Sequence, residues 1–175
     1  GTYRISEAEV HNIDAKRRIA AFAASLIREK EIVYLDPGST TELVARLTDP
    51  ELSITVVTTA LNISDYVANN TNWALVNPGG TLHRGPMMFE GSTTVEFLKR
   101  TRAHRAYISA SGVALDLGVT CTNLFEVQVK QAAIQSARES VLVVDRSKFG
   151  AVQMAYFADI ADFDGIVTDG RVDSG

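Results

Sequence analysis

The feature that most constrains this chain is a regular alternation of short apolar runs with segments of helical periodicity. The runs are rich in β-branched and aromatic residues, which are typical of buried strands. The segments between them repeat apolar residues every three or four positions, as amphipathic helices do. Runs such as 140–144 are almost continuously apolar, as expected for strands buried on two sides. The alternation predicts parallel strands joined by helical crossovers, and therefore an α/β fold.

Six strands can be assigned, and helical segments precede and separate them. The predicted strands are 31–36, 53–59, 73–77, 106–111, 140–145 and 165–169. The predicted helices are a first one with a stripe of Ile19, Phe22, Ala23, Leu26 and Ile27, then 41–48, 61–68, 92–102 and 125–137. Asn12 or Asp14 is a suitable cap for the first helix. In the second helix, Leu43, Val44 and Leu47 are expected to face inward. A glycine-punctuated segment, 79–91, interrupts the alternation; its Met87, Met88 and Phe89 could form a lid, a subunit contact or core.

Length and composition favour one globular domain spanning residues 1–175. The chain has 46% hydrophobic and 22% charged residues, and no repeat or linker divides it. No apolar run approaches the roughly 20 residues that cross a bilayer, so no membrane partner is expected. The net charge of −4 does not favour direct binding of DNA by this chain.

Cysteine and histidine usage favours neither a disulfide nor a metal site. Cys121 is the single cysteine, which excludes a disulfide within the chain and fits a reducing cytoplasm. It has no neighbouring histidine and is predicted to be a buried thiol rather than a nucleophile. His11, His83 and His104 are scattered and lack the paired spacing of metal ligands. No metal or cofactor is therefore expected.

The junction between the first strand and the second helix is the strongest candidate for a binding site. Ligands of open α/β sheets bind beyond the carboxyl ends of the strands, where Asp36 is followed by Gly38-Ser39-Thr40-Thr41. The free amides of a helix N-terminus, a small glycine and three hydroxyls together suit a phosphate. The alternative is an ordinary turn whose serine or threonine caps the helix. The GxxxxGK[ST] and GxGxxG patterns are absent, which disfavours a nucleotide site and a dinucleotide-dependent oxidoreductase.

Three further sets of charged residues admit both a functional and a structural interpretation. Lys148 lies just after the fifth strand, where it could meet a phosphate or be a solvated surface lysine. Glu126 and Lys130 are spaced i, i+4, which is typical of a surface pair on a helix. The basic run 99–105 could contact a partner or simply offset the dipole at a helix C-terminus.

These motifs, taken in order, resemble one protein family. "YLDPGSTTELVARL" (34–47) is followed by "VVTTALNI" (56–63), "NPGG" (77–80), "FEG" (89–91), Gly112, Gly118-Val119-Thr120, "EVQVKQAAI" (126–134), "VVDRSKFG" (143–150) and "DGIVTD" (164–169). Together with "AKRRIAAFAASLI" (15–27), they resemble the effector-binding domain of DeoR-type bacterial transcription regulators from about residue 14 to residue 169.

The resemblance implies a three-layer, Rossmann-like domain similar to ribose-5-phosphate isomerase that binds a phosphorylated sugar. It implies a cytoplasmic sensor without enzymatic activity and without catalytic residues. Regulators of this family carry an N-terminal winged helix-turn-helix, and the first thirteen residues here are too few for one. The expectation is a sensor domain that forms homo-oligomers and reaches DNA only through the missing domain.

The resemblance also implies which residues contact the ligand. It places the phosphate on Gly38, Ser39, Thr40 and Thr41, and the sugar near Asp36, Thr58, Asn62, Gly80, Glu126, Lys130, Asp145 and Lys148. One departure is "SASGVA" (109–114) in place of the family's "GADG"-like stretch, because serine and alanine cannot replace the acidic proton-transfer groups of the isomerases. The alternative function is a sugar-phosphate isomerase, for which Asp145 and Glu126 are the plausible bases.

Overall fold

A computed structural model describes the backbone of residues 2–170 and the side chains of residues 12–170. Its helices are α1 (Thr2–Ser25), α2 (Ser39–Leu47), α3 (Leu61–Asn70), α4 (Ser92–Lys99) and α5 (Val127–Ser136), with short 3₁₀ helices η1 (Leu124–Glu126), η2 (Arg146–Lys148) and η3 (Ile160–Asp162). Its strands are β1 (Ile32–Leu35), β2 (Thr55–Val57), β3 (Ala74–Val76), β4 (Thr81–His83), β5 (Met88–Glu90), β6 (Arg105–Ile108), β7 (Gly112–Ala114), β8 (Gly118–Cys121), β9 (Glu139–Val143), β10 (Ala155–Ala158) and β11 (Gly165–Val167).

The central sheet has six parallel strands in the order β11-β9-β6-β1-β2-β3. All six strands predicted from the sequence are in it, so the predicted α/β fold with a mostly parallel sheet is confirmed. Strands β2 and β3 extend the sheet on one side of β1, and β6, β9 and β11 extend it on the other side. The order therefore reverses between β1 and β6, and such a switch point leaves a crevice at the carboxyl edge.

The four inner strands of this sheet are buried on both faces, which explains why they are almost continuously apolar. Val33 and Leu35 of β1 lie in one apolar core with residues of α1, α2 and α3. Tyr34 points to the opposite face and lies in a second core with residues of α4, α5 and the strands β7, β8 and β10. The same alternation occurs in β6, where Tyr107 belongs to the first core and Ile108 to the second. Two cores on either side of one sheet make a three-layer domain.

Five short strands outside the central sheet were not predicted. The order β10-β8-β7 forms a small antiparallel sheet, and β4 pairs with β5 in a hairpin. Each has only three or four residues, too few for a period of two to stand out in the sequence. Met88 of the hairpin is buried in the second core, whereas Met87 is exposed near the tip.

Helix α1 differs from its prediction in where it begins and in one exposed residue. It begins at Thr2, so Asn12 and Asp14 lie inside the helix, and the predicted cap is wrong. Phe22 is 56% exposed, although Ile19 and Ala23 of the predicted stripe are buried. In α2, Leu47 is likewise 45% exposed, so the prediction that it faces inward is wrong. The buried residues in the second half of α2 are Val44 and Ala45. No helix in the described part of the chain has the length and apolarity required to span a bilayer.

The basic run 99–105 has structural contacts at both ends. Lys99 lies in the last turn of α4, where positive charge offsets the helix dipole, and pairs with Glu96 at 3.5 Å. Arg105 begins β6 and lies 3.2 Å from Glu31 and 3.7 Å from Glu139. These contacts favour the structural interpretation of the run.

Candidate functional site

A cavity of about 360 Å³ opens at the carboxyl edge of the central sheet, where the strand order reverses. Its walls come from α1, the β1–α2 loop, the tip of the β4–β5 hairpin, the loop after β6, the segment from β8 to α5, and the end of β9 with η2. The residues that line it are Lys16, Pro37, Gly38, Ser39, Thr40, Gly85, Pro86, Ser109, Ala110, Ser111, Cys121, Thr122, Asn123, Glu126, Lys130, Val143, Val144, Asp145 and Lys148.

One wall is the start of α2, where backbone amides and hydroxyls face the cavity. Gly38 precedes the helix with φ 154° and ψ 161°, a conformation that L side chains rarely adopt. Ser39 and Thr40 form the first turn, whose amides have no partner within the helix. The hydroxyl of Thr41 donates to the Gly38 carbonyl at 3.0 Å and is thereby used inside the loop.

The same four-residue sequence occurs at the start of another helix. Gly91-Ser92-Thr93-Thr94 begins α4, and Gly91 also has an extended backbone there, with φ 167°. None of these four residues lines the cavity. The sequence Gly-Ser-Thr-Thr therefore predicts a helix start in both places, and only its position at the switch point makes the first copy a candidate anion site.

A buried ion pair forms the floor of the cavity. Asp36 and Lys130 are 0% and 2% exposed, and the Lys130 ammonium donates to Asp36 Oδ2. Ser109 connects the two: its amide and hydroxyl donate to Asp36 Oδ2 at 3.1 and 3.0 Å, and its carbonyl accepts from Lys130 at 2.9 Å. The hydroxyl of Tyr34 donates to Asp36 Oδ1 at 3.2 Å. Because each partner has several hydrogen bonds, the charges can be buried together without being neutralised.

The charges around the ion pair set the protonation states of its neighbours. Burial alone would lower the pKa of Lys130, but the carboxylates of Asp36 and Glu126 together raise it above its ordinary value. Burial, and then the charge of Asp36, raises the pKa of Tyr34 well above its ordinary value. Burial raises the pKa of Cys121 to about 11. Lys130 is therefore an ammonium at neutral pH, and Cys121 is the protonated, buried thiol that was predicted.

Two acidic groups and a second lysine also line the cavity, from the segment before α5 and from the end of β9 with η2. Glu126 is 8% exposed, and its carboxylate accepts a hydrogen bond from the side-chain amide of Asn123 at 3.0 Å. Asp145 caps η2 by accepting from the Ser147 amide at 2.9 Å, and η2 carries Lys148 to the cavity. The cavity thus combines hydrogen-bond donors with carboxylates, which suits a ligand with an anionic group and several hydroxyls.

Seven of the twelve residues predicted to contact a ligand line this cavity. They are Gly38, Ser39, Thr40, Glu126, Lys130, Asp145 and Lys148. An eighth, Asp36, lies behind Lys130 as its ion-pair partner. The surface-pair interpretation of Glu126 and Lys130 is wrong, because both residues are buried and Lys130 pairs with Asp36 instead.

The remaining four predicted residues do not line the cavity. Thr41 is buried with its hydroxyl on Gly38, and Thr58 donates to the Leu35 carbonyl at 2.7 Å. Asn62 donates to Glu42 at 3.0 Å, on the β2 side of the sheet. Gly80 has φ 126° at the start of the hairpin, where a Cβ atom would lie 2.7 Å from the Glu90 carbonyl oxygen. In this structure, each of the four has a role within the fold.

Five polar residues that line the cavity were not among the predicted contacts: Lys16, Ser109, Ser111, Thr122 and Asn123. Lys16 reaches the cavity from α1 and donates to Ser39 Oγ at 3.0 Å. Ser109 connects Asp36 with Lys130, and Asn123 holds Glu126. Ser109 lies near the end of the predicted strand 106–111, a position where a ligand contact is expected. The sequence around Asn123 and Lys16 did not indicate a ligand contact. Within the described residues, no group of three or more His, Cys, Asp or Glu side chains is placed to hold a metal ion.

Replacing Gly38 with alanine is expected to lower the free energy of unfolding by about 1–3 kcal/mol, the usual cost of a backbone conformation reserved for glycine. The new Cβ would also lie 3.1 Å from Ser109 and 3.2 Å from Thr41. Urea unfolding measures this change, and Gly165→Ala is the control because a Cβ atom there meets open space. Equal stability of the two variants would show that the loop does not require this conformation.

Comparisons with known proteins identify the family of this chain. A model of the family described as the DeoR C terminal sensor domain matches residues 11–170. The deoxyribose operon repressor of Escherichia coli K12 is 33% identical over 167 residues, which are 95% of this chain and 66% of the repressor. The regulators GlpR of Haloferax volcanii and IolR of Bacillus subtilis are 31% and 29% identical, and the match covers 65% of each. The chain thus spans about two thirds of these relatives.

Solved structures share the fold at low sequence identity. Ribose 5-phosphate isomerase A of Methanocaldococcus jannaschii superposes with a TM-score of 0.55 at 20% identity, over 79% of this chain and 55% of the isomerase. The delta subunit of eIF2B from Chaetomium thermophilum gives a TM-score of 0.64 at 12% identity, over 87% of this chain and 54% of that subunit. At such identities the likeness concerns the fold alone. The family match covers nearly the whole chain, and the chain therefore belongs to the DeoR C-terminal sensor domain family.

Proposed function

We propose that this chain is the ligand-sensing part of a DeoR-type transcription regulator, and that its ligand is a phosphorylated sugar. The observation that carries this proposal is a single cavity at the switch point that is lined both by the start of α2 and by carboxylates. The start of α2 offers amides and hydroxyls to an anion, while Glu126 and Asp145 offer acceptors to sugar hydroxyls. Phosphate groups bind well at helix N-termini for this reason.

In the proposed mechanism, ligand binding changes the balance between two arrangements of the regulator. The phosphate is held by residues 38–40, and the sugar lies near Glu126, Lys130, Asp145 and Lys148, with Asp36 holding Lys130 in place. A ligand shifts such a balance only by its difference in affinity for the two states. The regulator would act in the cytoplasm as a repressor and contact DNA through a separate N-terminal domain. The relatives are longer than this chain, and the family is described as a C terminal sensor domain, which supports a further domain in the regulator.

We also propose that the regulator is a homo-oligomer. Several large apolar side chains lie exposed at or near the small antiparallel sheet, including Leu115, Leu117, Leu124 and Met154. Exposed apolar groups of this size that lie together are typical of protein contact surfaces.

A thermal-shift screen against a panel of pentose and hexose phosphates tests the proposed ligand class. A ligand that binds only the folded state stabilises it by mass action and so raises the melting temperature. At a hundredfold excess of ligand over its Kd, the added stability is about 2.7 kcal/mol. We expect at least one sugar phosphate to raise the melting temperature and its unphosphorylated parent to have no effect. Equal shifts with the two forms would contradict a phosphate requirement.

A sugar-phosphate isomerase is the second candidate, because the cavity holds two carboxylates that could act as a base. Its base would be Glu126 or Asp145, but Asp145 already accepts from Ser147 as the cap of η2. The loop after β6 offers only Ser109, Ala110 and Ser111 in place of a carboxylate. Turnover assays with pentose and hexose phosphates separate the two functions: isomerisation that is lost in Asp145→Asn would establish the enzyme.

A further inference from the structure

We propose that Lys16 of helix α1 is a ligand-binding cation, and that through this residue α1 senses whether the site is occupied. This inference rests on the proposed anion site at the start of α2 and adds a regulatory connection to it. It assigns a role in binding to a helix whose Lys16 lies 23 residues before Ser39 in the sequence.

The position of Lys16 is fixed by the packing of α1. Ala15 and Ile19, on either side of it, are buried, and Ile19 and Ala23 share a core with Val44 of α2. This packing holds the helix beside the start of α2. Lys16 is half-buried, lines the cavity and donates to Ser39 Oγ at 3.0 Å.

Its two basic neighbours are not placed in the same way. Arg17 and Arg18 are exposed, and neither lines the cavity. Successive residues on a helix point in directions about 100° apart, so only one of three adjacent cations can face the α2 loop. The chain therefore provides its own matched comparison for a single positive charge on this helix.

The chemistry of Lys16 suits an anion better than its partner in the structure. Ser39 Oγ is a neutral acceptor, whereas a phosphate oxygen on the amides of residues 39–41 would be a charged one within reach of the same ammonium. Hydrogen bonds between two charged groups are shorter and about twice as strong as neutral ones. Lys130 is already paired with Asp36, and Lys148 approaches from the β9 side. Of the three lysines that line the cavity, Lys16 is thus the one that contacts the start of α2.

A bond from Lys16 to the ligand would tie α1 to the bound state. Helix α1 extends from Thr2 to Ser25, so Lys16 lies about nine residues from its C-terminal end, and the rest of the helix runs toward the N-terminus. In a longer regulator, the N-terminal side is where the proposed DNA-binding domain would be attached. The coupling is reciprocal by linkage: whatever displaces α1 from the α2 loop would also weaken ligand binding.

The test titrates the protein with inorganic phosphate at constant ionic strength. Phosphate binding is monitored through the backbone amide NMR signals of residues 38–41. Lys16→Met is expected to raise the phosphate Kd about tenfold, because it removes one hydrogen bond to a charged group. Lys16→Arg should restore most of the affinity. Arg17→Met removes the same charge from the same helix and should leave the Kd within about twofold, because salt screens an exposed charge.

A second readout is amide hydrogen exchange across residues 12–25, measured for each variant at matched saturation with phosphate. Phosphate should slow exchange in the parent chain and in Arg17→Met, but not in Lys16→Met. If Lys16→Met binds phosphate as tightly as the parent while the signals of residues 38–41 still shift, the Lys16 proposal is overturned and the anion site stands. If phosphate leaves those signals unchanged in the parent chain, the anion site itself is wrong.

Discussion

Replacing Lys130 with methionine is expected to lower the free energy of unfolding by about 3–5 kcal/mol, because it leaves the charge of Asp36 buried without a partner. Both residues lie almost entirely out of solvent, and Asp36 would keep only its bonds from Ser109 and Tyr34. Urea unfolding at neutral pH measures the change. The size of this loss distinguishes a buried charge pair from an ordinary surface pair.

The control for Lys130→Met is the same substitution in an exposed pair. Lys99 lies 3.5 Å from Glu96, and both side chains are more than half exposed. Surface pairs of this kind contribute about 0–1 kcal/mol, so Lys99→Met should change little. The double variant Asp36→Asn with Lys130→Met removes both charges and should recover much of the loss. If Lys130→Met is no more damaging than Lys99→Met, the ion pair does not hold the floor of the cavity.

The pH dependence of this contribution follows from the raised pKa of Lys130. A lysine whose pKa is higher in the folded than in the unfolded state stabilises the fold most below its ordinary value of 10.5. The contribution is lost as the pH rises through the higher, folded-state value. The stability difference between the parent and Lys130→Met should therefore stay constant through neutral pH and shrink only in strongly alkaline solution.

Replacing Ser39 and Thr40 together with alanine is expected to weaken binding of a phosphorylated sugar by at least tenfold. Each hydroxyl that bonds to a charged phosphate contributes about 1.5–3 kcal/mol. Affinity for the unphosphorylated parent sugar should change far less, because that sugar lacks the group these hydroxyls hold. Isothermal titration calorimetry with both ligands measures the difference.

The second Gly-Ser-Thr-Thr sequence supplies the control for this double variant. Ser92→Ala with Thr93→Ala makes the same two changes in the first turn of α4, away from the cavity. Any general effect of losing hydroxyls at a helix start should appear in both variants, and only the 39/40 variant should lose phosphate affinity. Equal losses for the phosphorylated and unphosphorylated sugars would show that residues 39 and 40 do not hold the phosphate.

The sequence predicts the central sheet well because burial on both faces makes its strands apolar along their whole length. Segments such as 140–144 and 31–35 are short, apolar and rich in β-branched residues, and they contain β9 and β1. The short strands β7, β8 and β10 could not be predicted in the same way. Their pairing depends on contacts with segments far along the chain, such as Ala155 opposite Cys121, rather than on a local period.

The candidate site is predictable only as far as the strand ends, because alternation of strands and helices does not fix the strand order. Thr58 and Asn62 follow β2, which lies on the far side of β1 from β6, and so they miss the cavity. Lys130 is four residues after Glu126, but its partner Asp36 is 94 residues away. Lys16 reaches the site only because of how α1 packs on α2. Pairings of this kind become visible only in three dimensions.

A crystal structure of this chain with a sugar phosphate identified by thermal shift tests the central claim most directly. The account predicts phosphate oxygens within hydrogen-bond distance of the amides of Ser39 and Thr40, and sugar hydroxyls near Glu126 and Asp145. A ligand bound elsewhere, with no contact to residues 38–41, would contradict it.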